Sequence, residues 1–458
     1  MFDIKSLAVS AVTALAMTGP SLAQTPAVSP PPTVFVHVNV LPMDRERVLR
    51  DQSVLVEDGA ITAIGANVAA PKNALIVDGH GTEYLSPGLA DMHVHSSNSR
   101  DMAVFLANGV TTVLNMGGER NSFMDQTRPA LNRGEIPGPH FYASFIVDGT
   151  PEYGQFVVAT PAQARAVVDL AKTNGYDFIK VYNNLAPDTF QAFIDEGRAE
   201  GMPVIGHGVT RVGLERQFAA GQPMVAHTEE YLYTVFFPGG ADVGNRAPNL
   251  DQIPAAIAFT KRDGAFVTAD LNTYATIARQ WGKPDVVTDF LRQPEVRYLD
   301  LDDRVSWRGE SYASRRGSLD DRVAFLKVFT KALSDAGVPL ITGTDTPVIP
   351  GLVPGYSLHL DMRLLEAAGL TRYQVLSAAT RTPGEFIAKV KPGGRPFGTV
   401  TVGDRADLIL SAANPLDGLS TLEKPLGVVA NGHWYDAAAL QALLDGVAAK
   451  YKAAAQPQ

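Results

Sequence analysis

The sequence predicts an α/β fold in two parts: a closed barrel of parallel strands, and a small β domain assembled from both ends of the chain. Two observations carry this expectation. Between about residues 86 and 390, short apolar runs of strand length alternate with stretches of helical periodicity, and eight such runs can be counted. On either side of that region the texture changes to alternating strands joined by tight turns, once over residues 33–85 and again over 391–436. Eight strand–helix repeats close into a (β/α)8 TIM-type barrel, and two separated β pieces flanking it form one composite β-sandwich domain.

Taken in order, residues 1–23 have the make-up of a secretory signal peptide. Lys5 precedes the apolar run Leu7 to Met17, Gly19-Pro20 break it, and Ser21-Leu22-Ala23 presents the small residues that a signal peptidase reads. The run is too short for a membrane span, which needs about 20 apolar residues. The expectation is therefore an exported protein, periplasmic or secreted, cleaved after Ala23 and left with no membrane span. Residues 24–32 form a Pro-rich linker. In 33–85, Glu57-Asp58-Gly59 turns one alternating run into the next.

The eight expected barrel strands are residues 89–95, 109–115, 140–144, 178–182, 203–207, 224–227, 265–269 and 339–345. Helices are expected over Thr160 to Asn174 and Pro187 to Glu200. The long interval of about 270–320, between strands seven and eight, is an insertion. Residues 437–458 are an Ala-rich helix with a frayed tail.

Composition narrows the chemistry. With no cysteine in 458 residues, disulfides, thiolate metal sites and a cysteine nucleophile are excluded. A formal charge of −9, spread without long acidic blocks, argues against nucleic acid or an anionic membrane as partner. Any metal must be held by His, Asp, Glu or a modified Lys.

Those residue types fall in a pattern. His93 and His95 stand two apart at the end of the first strand, so both side chains leave one face. Lys180, His207, His227 and Asp345 each stand at or near the end of a later strand. In a barrel, that end carries the active site, so all six would converge in one pocket. Each residue alone has an ordinary structural reading, as a solvent-facing lysine, a satisfied histidine or a turn cap. Joint placement of six at the ends of five different strands does not, and neutral imidazoles suit zinc and its neighbours.

Pro87-Gly88-Leu89-Ala90-Asp91-Met92-His93-Val94-His95 resembles the signature of the amidohydrolase superfamily. Phe178-Ile179-Lys180-Val181-Tyr182, Gly206-His207-Gly208, Val225-Ala226-His227 and Gly343-Thr344-Asp345 follow in that superfamily's order. The resemblance extends from Thr33 to about Tyr435. A lysine on the fourth strand resembles the binuclear prolidase-like branch, related in sequence to imidazolonepropionases, which lack it. This resemblance implies two divalent metal ions, with zinc expected. His93, His95 and Asp345 would bind the more buried ion, and His207 and His227 the more exposed one. Lys180, carboxylated by CO2, would bridge them, and Asp345 would be the catalytic acid–base. It further implies a small-molecule partner, a dipeptide or N-acyl amino acid, and leaves a homo-oligomer open. Cyclic amides, lactones or esters are the alternative substrates, and a non-catalytic periplasmic binding protein on the same barrel is the rival class. One departure is Thr380-Arg381-Thr382-Pro383-Gly384-Glu385-Phe386-Ile387, where family members commonly carry Ala-x-x-Leu-Gly.

Secondary expectations are fewer. Tyr231, four residues past His227, is expected to hydrogen-bond the substrate. His140, at the start of the third strand, is expected to be structural. Arg304, Arg308, Arg315 and Arg316 could clamp a carboxylate, but a solvated loop paired with Asp300, Asp302 and Asp303 is the expectation. His37, His80, His359 and His433 receive no role.

Overall fold

The computed structural model describes residues 30–153, 155–237 and 248–454; the expected signal peptide and residues 24–29 of the linker lie outside these residues. The small domain begins with β1 (Thr33–Val40), β2 (Leu49–Glu57), β3 (Ala60–Gly65), β4 (Leu75–Asp78) and β5 (Tyr84–Pro87). The barrel follows as β6 (Leu89–Val94), β7 (Val110–Asn115), β8 (His140–Asp148), β10 (Phe178–Val181), β11 (Val204–Gly206), β12 (Met224–Val225), β13 (Phe266–Thr268) and β14 (Leu340–Ile341). A two-residue strand, β9 (Phe156–Val157), pairs on the side of β8. The chain returns to the small domain as β15 (Leu408–Ser411), β16 (Gly427–Ala430) and β17 (His433–Asp436).

All eight expected barrel strands are present, and they pair in parallel in the order β14-β13-β12-β11-β10-β8-β7-β6. The ring closes between its ends: Met92 N–H donates to Thr342 O at 3.0 Å, His95 N–H to Thr346 O at 2.8 Å, and Val94 bridges Thr346. Strands such as β6 and β7 are buried at every position, which is why they read as continuous apolar runs. Inside the barrel, Met92, Leu114, Phe178, Ile205, Phe266 and Ile341 pack together, and Phe386 joins them.

The strands are shorter than their apolar runs. β12 and β14 have two residues each, so His227 and Asp345 lie past the paired segments rather than on them. At this rim side-chain hydrogen bonds add to the backbone ones, such as Ala226 N–H to Gly206 O at 2.9 Å and Ala269 N–H to Ile341 O at 2.8 Å. Thr342 Oγ1 donates to Ala90 O at 2.8 Å and Thr346 Oγ1 to Leu352 O at 3.1 Å.

Both chain ends share one mixed sheet, ordered β17-β16-β15-β5-β1-β2-β3 with β4 alongside β1. Antiparallel pairing of β15 with β5 (Leu408 opposite Pro87, Leu410 opposite Leu85) joins the two pieces. Only Gly88 separates β5 from β6. A Cβ there would fall 2.1 Å from Thr111 Oγ1, so the crossing between domains admits glycine alone.

The interval between β13 and β14 is not a loop. It folds as helices Leu271–Gln280, Pro284–Phe290 and Leu301–Gly309 ahead of helix Asp320–Asp335. Phe290, Leu299 and Trp307 form its own small core, and the Trp307 indole donates to Pro347 O at 2.7 Å. The last helix, Ala437–Ala454, packs Val447 and Tyr451 against Ala103 and Val104 of helix Ser99–Ala107. Among the described residues, no helix is long and apolar enough to cross a membrane.

Candidate metal centre

Six polar side chains converge at the C-terminal rim of the barrel. His93 and His95 leave β6 and its end with their rings 5.4 Å apart. His227 lies 4.2 Å from His93, ring to ring, and His207 lies 5.0 Å from His227. Asp345 Oδ1 stands 3.2 Å from His95 Nε2 and 3.4 Å from His93 Nε2. Lys180, fully buried on β10, sets its Nζ 3.3 Å from His93 Nε2. His93, His95, Lys180, His207, His227 and Asp345 are thus brought into one cluster.

Two backbone features place these groups. Gly206, just before His207, has φ of +126°, and a Cβ there would meet Val181 O at 2.3 Å and Lys180 Cγ at 3.1 Å. Glycine lets β11 press against the Lys180 strand. Asp345 itself has φ of +57°, a conformation few non-glycine residues adopt. It is held there because its N–H and that of Thr344 both donate to His93 O, at 2.8 and 3.1 Å.

Each of the four histidines of the cluster is anchored through Nδ1. His93 uses Ala226 O (3.1 Å), His95 uses Gly117 O (3.2 Å), His227 uses Asp270 Oδ2 (2.5 Å), and His207 uses the Glu230 carboxylate. An acceptor on Nδ1 fixes the proton there and leaves Nε2 as a lone-pair donor, the arrangement found behind metal-binding histidines. Burial lowers the pKa of His93, His95 and His207, favouring neutral imidazole. Burial also lowers Lys180 to about 8. For Asp345 burial pulls upward, but the hydrogen bond and charge that His95 supplies when protonated, together with the charges of His227 and Lys180, outweigh it and bring the carboxyl to about 2.

The donor set fits divalent metal. His93, His95 and Asp345 offer ligand atoms within 4.8 Å of one another. A second group, His93, His227 and Asp270, is as close, yet Asp270 is already engaged by His227 Nδ1 and by Thr273 Oγ1 at 3.4 Å. Asp270 therefore stands behind His227 rather than facing the centre. Nitrogen and carboxylate donors without thiolate suit zinc and neighbouring ions. Lys180 makes no direct ion pair with a carboxylate among the described residues, although the charges of Asp345, Glu230 and Asp270 act on it and oppose the downward pull of burial.

Above His207 opens a cavity of about 1060 Å³ whose walls include Tyr182, Asn183, Arg211, Glu229, Tyr233 and Arg315. Tyr231 is not among them, which corrects the expectation of a substrate contact. It is fully buried, its hydroxyl pairs with Thr260 Oγ1 at 2.7 Å, and its ring packs edge-on against Phe329. Residues 231–236 are helical here, so neighbours two apart face different ways, and Tyr233 meets the cavity instead.

The arginines also differ from expectation. None of Arg304, Arg308, Arg315 and Arg316 forms an ion pair with Asp300, Asp302 or Asp303 among the described residues. Arg304 donates to Leu299 O at 3.0 Å, and Arg315 lines the cavity. His140 lies at the opposite end of the barrel beside Tyr142.

Sequence reasoning missed Glu230 and Asp270, the carboxylates behind His207 and His227. A signal existed, since both are acidic residues within three positions of an expected strand end. It also passed over Asp91, fully buried on β6, whose Oδ2 accepts from Thr344 Oγ1 at 2.7 Å.

Fold and centre together define a parallel-barrel hydrolase with a candidate metal site at the C-terminal strand ends. The chain belongs to the amidohydrolase family, whose model matches residues 84–435. Solved structures with the same fold include a putative prolidase from Bifidobacterium longum, with a TM-score of 0.66 and 22% identity. That match covers 91% of this chain and 99% of the other. A bottromycin amidohydrolase aligns with a TM-score of 0.71 and 22% identity, over 92% of this chain and 91% of the other. A Xaa-Pro dipeptidase with bound methionine aligns at 0.63 and 17% identity, over 88% of this chain and 100% of the other. No curated protein sequence matches.

Proposed function

We propose that this chain is an exported, binuclear metal-dependent hydrolase that cleaves the amide bond of a dipeptide or N-acyl amino acid. The observation that carries this reading is the shared anchoring of four histidines through Nδ1, around a buried lysine and an aspartate. His93, His95 and Asp345 would hold one ion, His207 and His227 the other, and Lys180, as its carbamate, would lie between them. Two bound divalent ions, zinc in this proposal, would supply an ionised water as nucleophile and polarise the scissile carbonyl.

The chain's own groups do the rest. A Lys180 amine brought to about 8 by burial is partly neutral near neutral pH. Its nitrogen can then add to the carbon of CO2, forming an N–C bond and releasing one proton. The product is an anion where a bare ammonium would be repelled by bound cations. Asp345, ionised at working pH, accepts the proton of the attacking water and passes it to the leaving nitrogen. Arg211 and Arg315 in the cavity wall provide cations for a substrate carboxylate. Export rests on Lys5, the apolar run after it, and Ser21-Leu22-Ala23.

The test is metal analysis of the purified protein, with turnover of a panel of dipeptides, N-acyl amino acids, esters and lactones. Two ions per chain, amide turnover lost to chelator and restored by zinc, and a fall of at least about 100-fold in Asp345→Asn are expected. One ion per chain with Lys180→Ala fully active would exclude the binuclear centre. Equal inertness of wild type and Asp345→Asn toward every amide would exclude amide hydrolysis.

A further inference from the structure

The cavity over the candidate metal centre has two unlike sides. Asn183, Asn184 and Arg211, from the loops after β10 and β11, make one side polar. Tyr274, Ile277, Trp281 and Tyr312 bring aromatic and aliphatic surface to the other, beside Glu310, Ser311 and Arg315, and all seven come from the interval between β13 and helix Asp320–Asp335.

Helix Leu271–Gln280 explains how that wall is placed. It starts at Asp270, whose carboxylate holds His227, so its first turn is tied to the centre. Tyr274, Ile277 and Trp281 follow at spacings of three and four, which puts them on one stripe. At 1.5 Å per residue, Tyr274 lies about 6 Å along the axis from Asp270 and Trp281 about 16 Å. The stripe therefore extends for about 10 Å along the helix axis beyond Tyr274.

Tyr312 extends the wall, its ring stacked on Trp281 with centroids 6.3 Å apart and planes inclined by 29°. Tyr274 is nearly buried and stiffens the wall, whereas Trp281 and Tyr312 are half-buried and leave ring surface to the cavity. The Arg315 guanidinium sits 5.8 Å from the Trp281 ring at the far end. A peptide lying on this wall would need partners for its backbone N–H and C=O groups. Glu310, Ser311 and Arg315 of the same interval can supply them, while the Trp281 indole N–H is already given to Arg316 O at 2.9 Å, which leaves its ring for apolar contact. Rings stack on rings without that need.

We infer that the segment between β13 and helix Asp320–Asp335 is a specificity subsite for a fused or linked aromatic group on one half of the amide substrate. Trp281 and Tyr312 are its determinants. The inference rests on the amide-hydrolase reading and names the class of amide: one with a large planar substituent, rather than a small aliphatic dipeptide.

The experiment uses the full chain reconstituted with zinc. Steady-state constants are measured for N-(2-naphthoyl)-L-alanine against N-acetyl-L-alanine, and for L-alanine 2-naphthylamide against L-alanine methylamide. Binding of 2-naphthoate is followed separately by isothermal titration calorimetry. In one of the two pairs, the naphthyl member is expected to have a kcat/KM at least about 30-fold higher. Trp281→Ala should cut that ratio about tenfold, with KM carrying the change, and Trp281→Phe should restore most of it. Ratios within about threefold in both pairs, or an equal fall of both members in Trp281→Ala, would overturn the subsite. Absence of turnover with Trp281-dependent naphthoate binding intact would keep the subsite and sink the hydrolase reading. Absence of both turnover and binding would overturn the subsite as well.

Discussion

Thr344→Val takes one hydroxyl from the strand end that carries Asp345 and leaves the side chain's shape nearly unchanged. That hydroxyl donates to Asp91 Oδ2 at 2.7 Å and accepts from Thr346 N–H at 3.3 Å. Both side chains are fully buried, so water cannot replace the lost partner. Burial pushes the Asp91 carboxyl up to about 8, with the Thr344 bond pulling the other way, so near pH 7 the pair is largely neutral. A buried group deprived of its partner costs about 1–3 kcal/mol, and a neutral pair belongs near the middle, about 2 kcal/mol. The backbone should stay in place, because Thr344 O still accepts from Thr273 Oγ1 at 3.1 Å and Asn272 Nδ2 at 3.3 Å. Urea unfolding should therefore report a loss of about 2 kcal/mol at unchanged m-value, with a smaller fall in kcat than Asp345→Asn shows. A loss under about 0.5 kcal/mol, with kcat untouched, would mean that the Asp91–Thr344 bond does not hold this rim.

Three further outcomes follow from the same structure. Glu230→Gln weakens the anchor on His207 Nδ1 while keeping side-chain size, and should lower metal affinity about 10–100-fold by competition with a chromophoric chelator. Burial lowers His359 to about 4, with its Nε2 3.0 Å from Asn108 O. The unfolded chain therefore binds its proton first. Its contribution is complete above about pH 6.5 and is lost as pH falls toward 4, up to about 3 kcal/mol that a His359→Gln variant should not lose over that window. Phe386→Ala empties a fully buried site against Phe178 and Phe266 beneath the barrel, and should cost about 3–5 kcal/mol by denaturant titration.

Much of this molecule was legible because barrels translate position along the chain into position in space. Each strand is a buried apolar run, and the residue that ends it must lie at the rim. His93, Lys180, His207, His227 and Asp345 could therefore be grouped without knowing any distance between them. Tyr231 shows where that logic stops. Beyond a strand end the chain becomes helical, and a shift of two residues exchanges the cavity for the aromatic packing against Phe329. The interval after β13 shows the same limit on a larger scale. Its charged residues suggested a solvated loop, whereas Phe290, Leu299 and Trp307 give it a core that only folding assembles.

By itself the sequence determined the barrel, the composite β domain and the polar residues at the rim, since each follows from local periodicity and strand order. Tertiary structure alone decided that Glu230 and Asp270 stand behind His207 and His227. It also decided that Asp91 holds the strand end of Asp345, and that Trp281 and Tyr312 face the cavity. These are contacts between loops of different strands. A hydrogen bond or ring contact depends on where two side chains meet in space, and no pattern within either segment encodes that meeting.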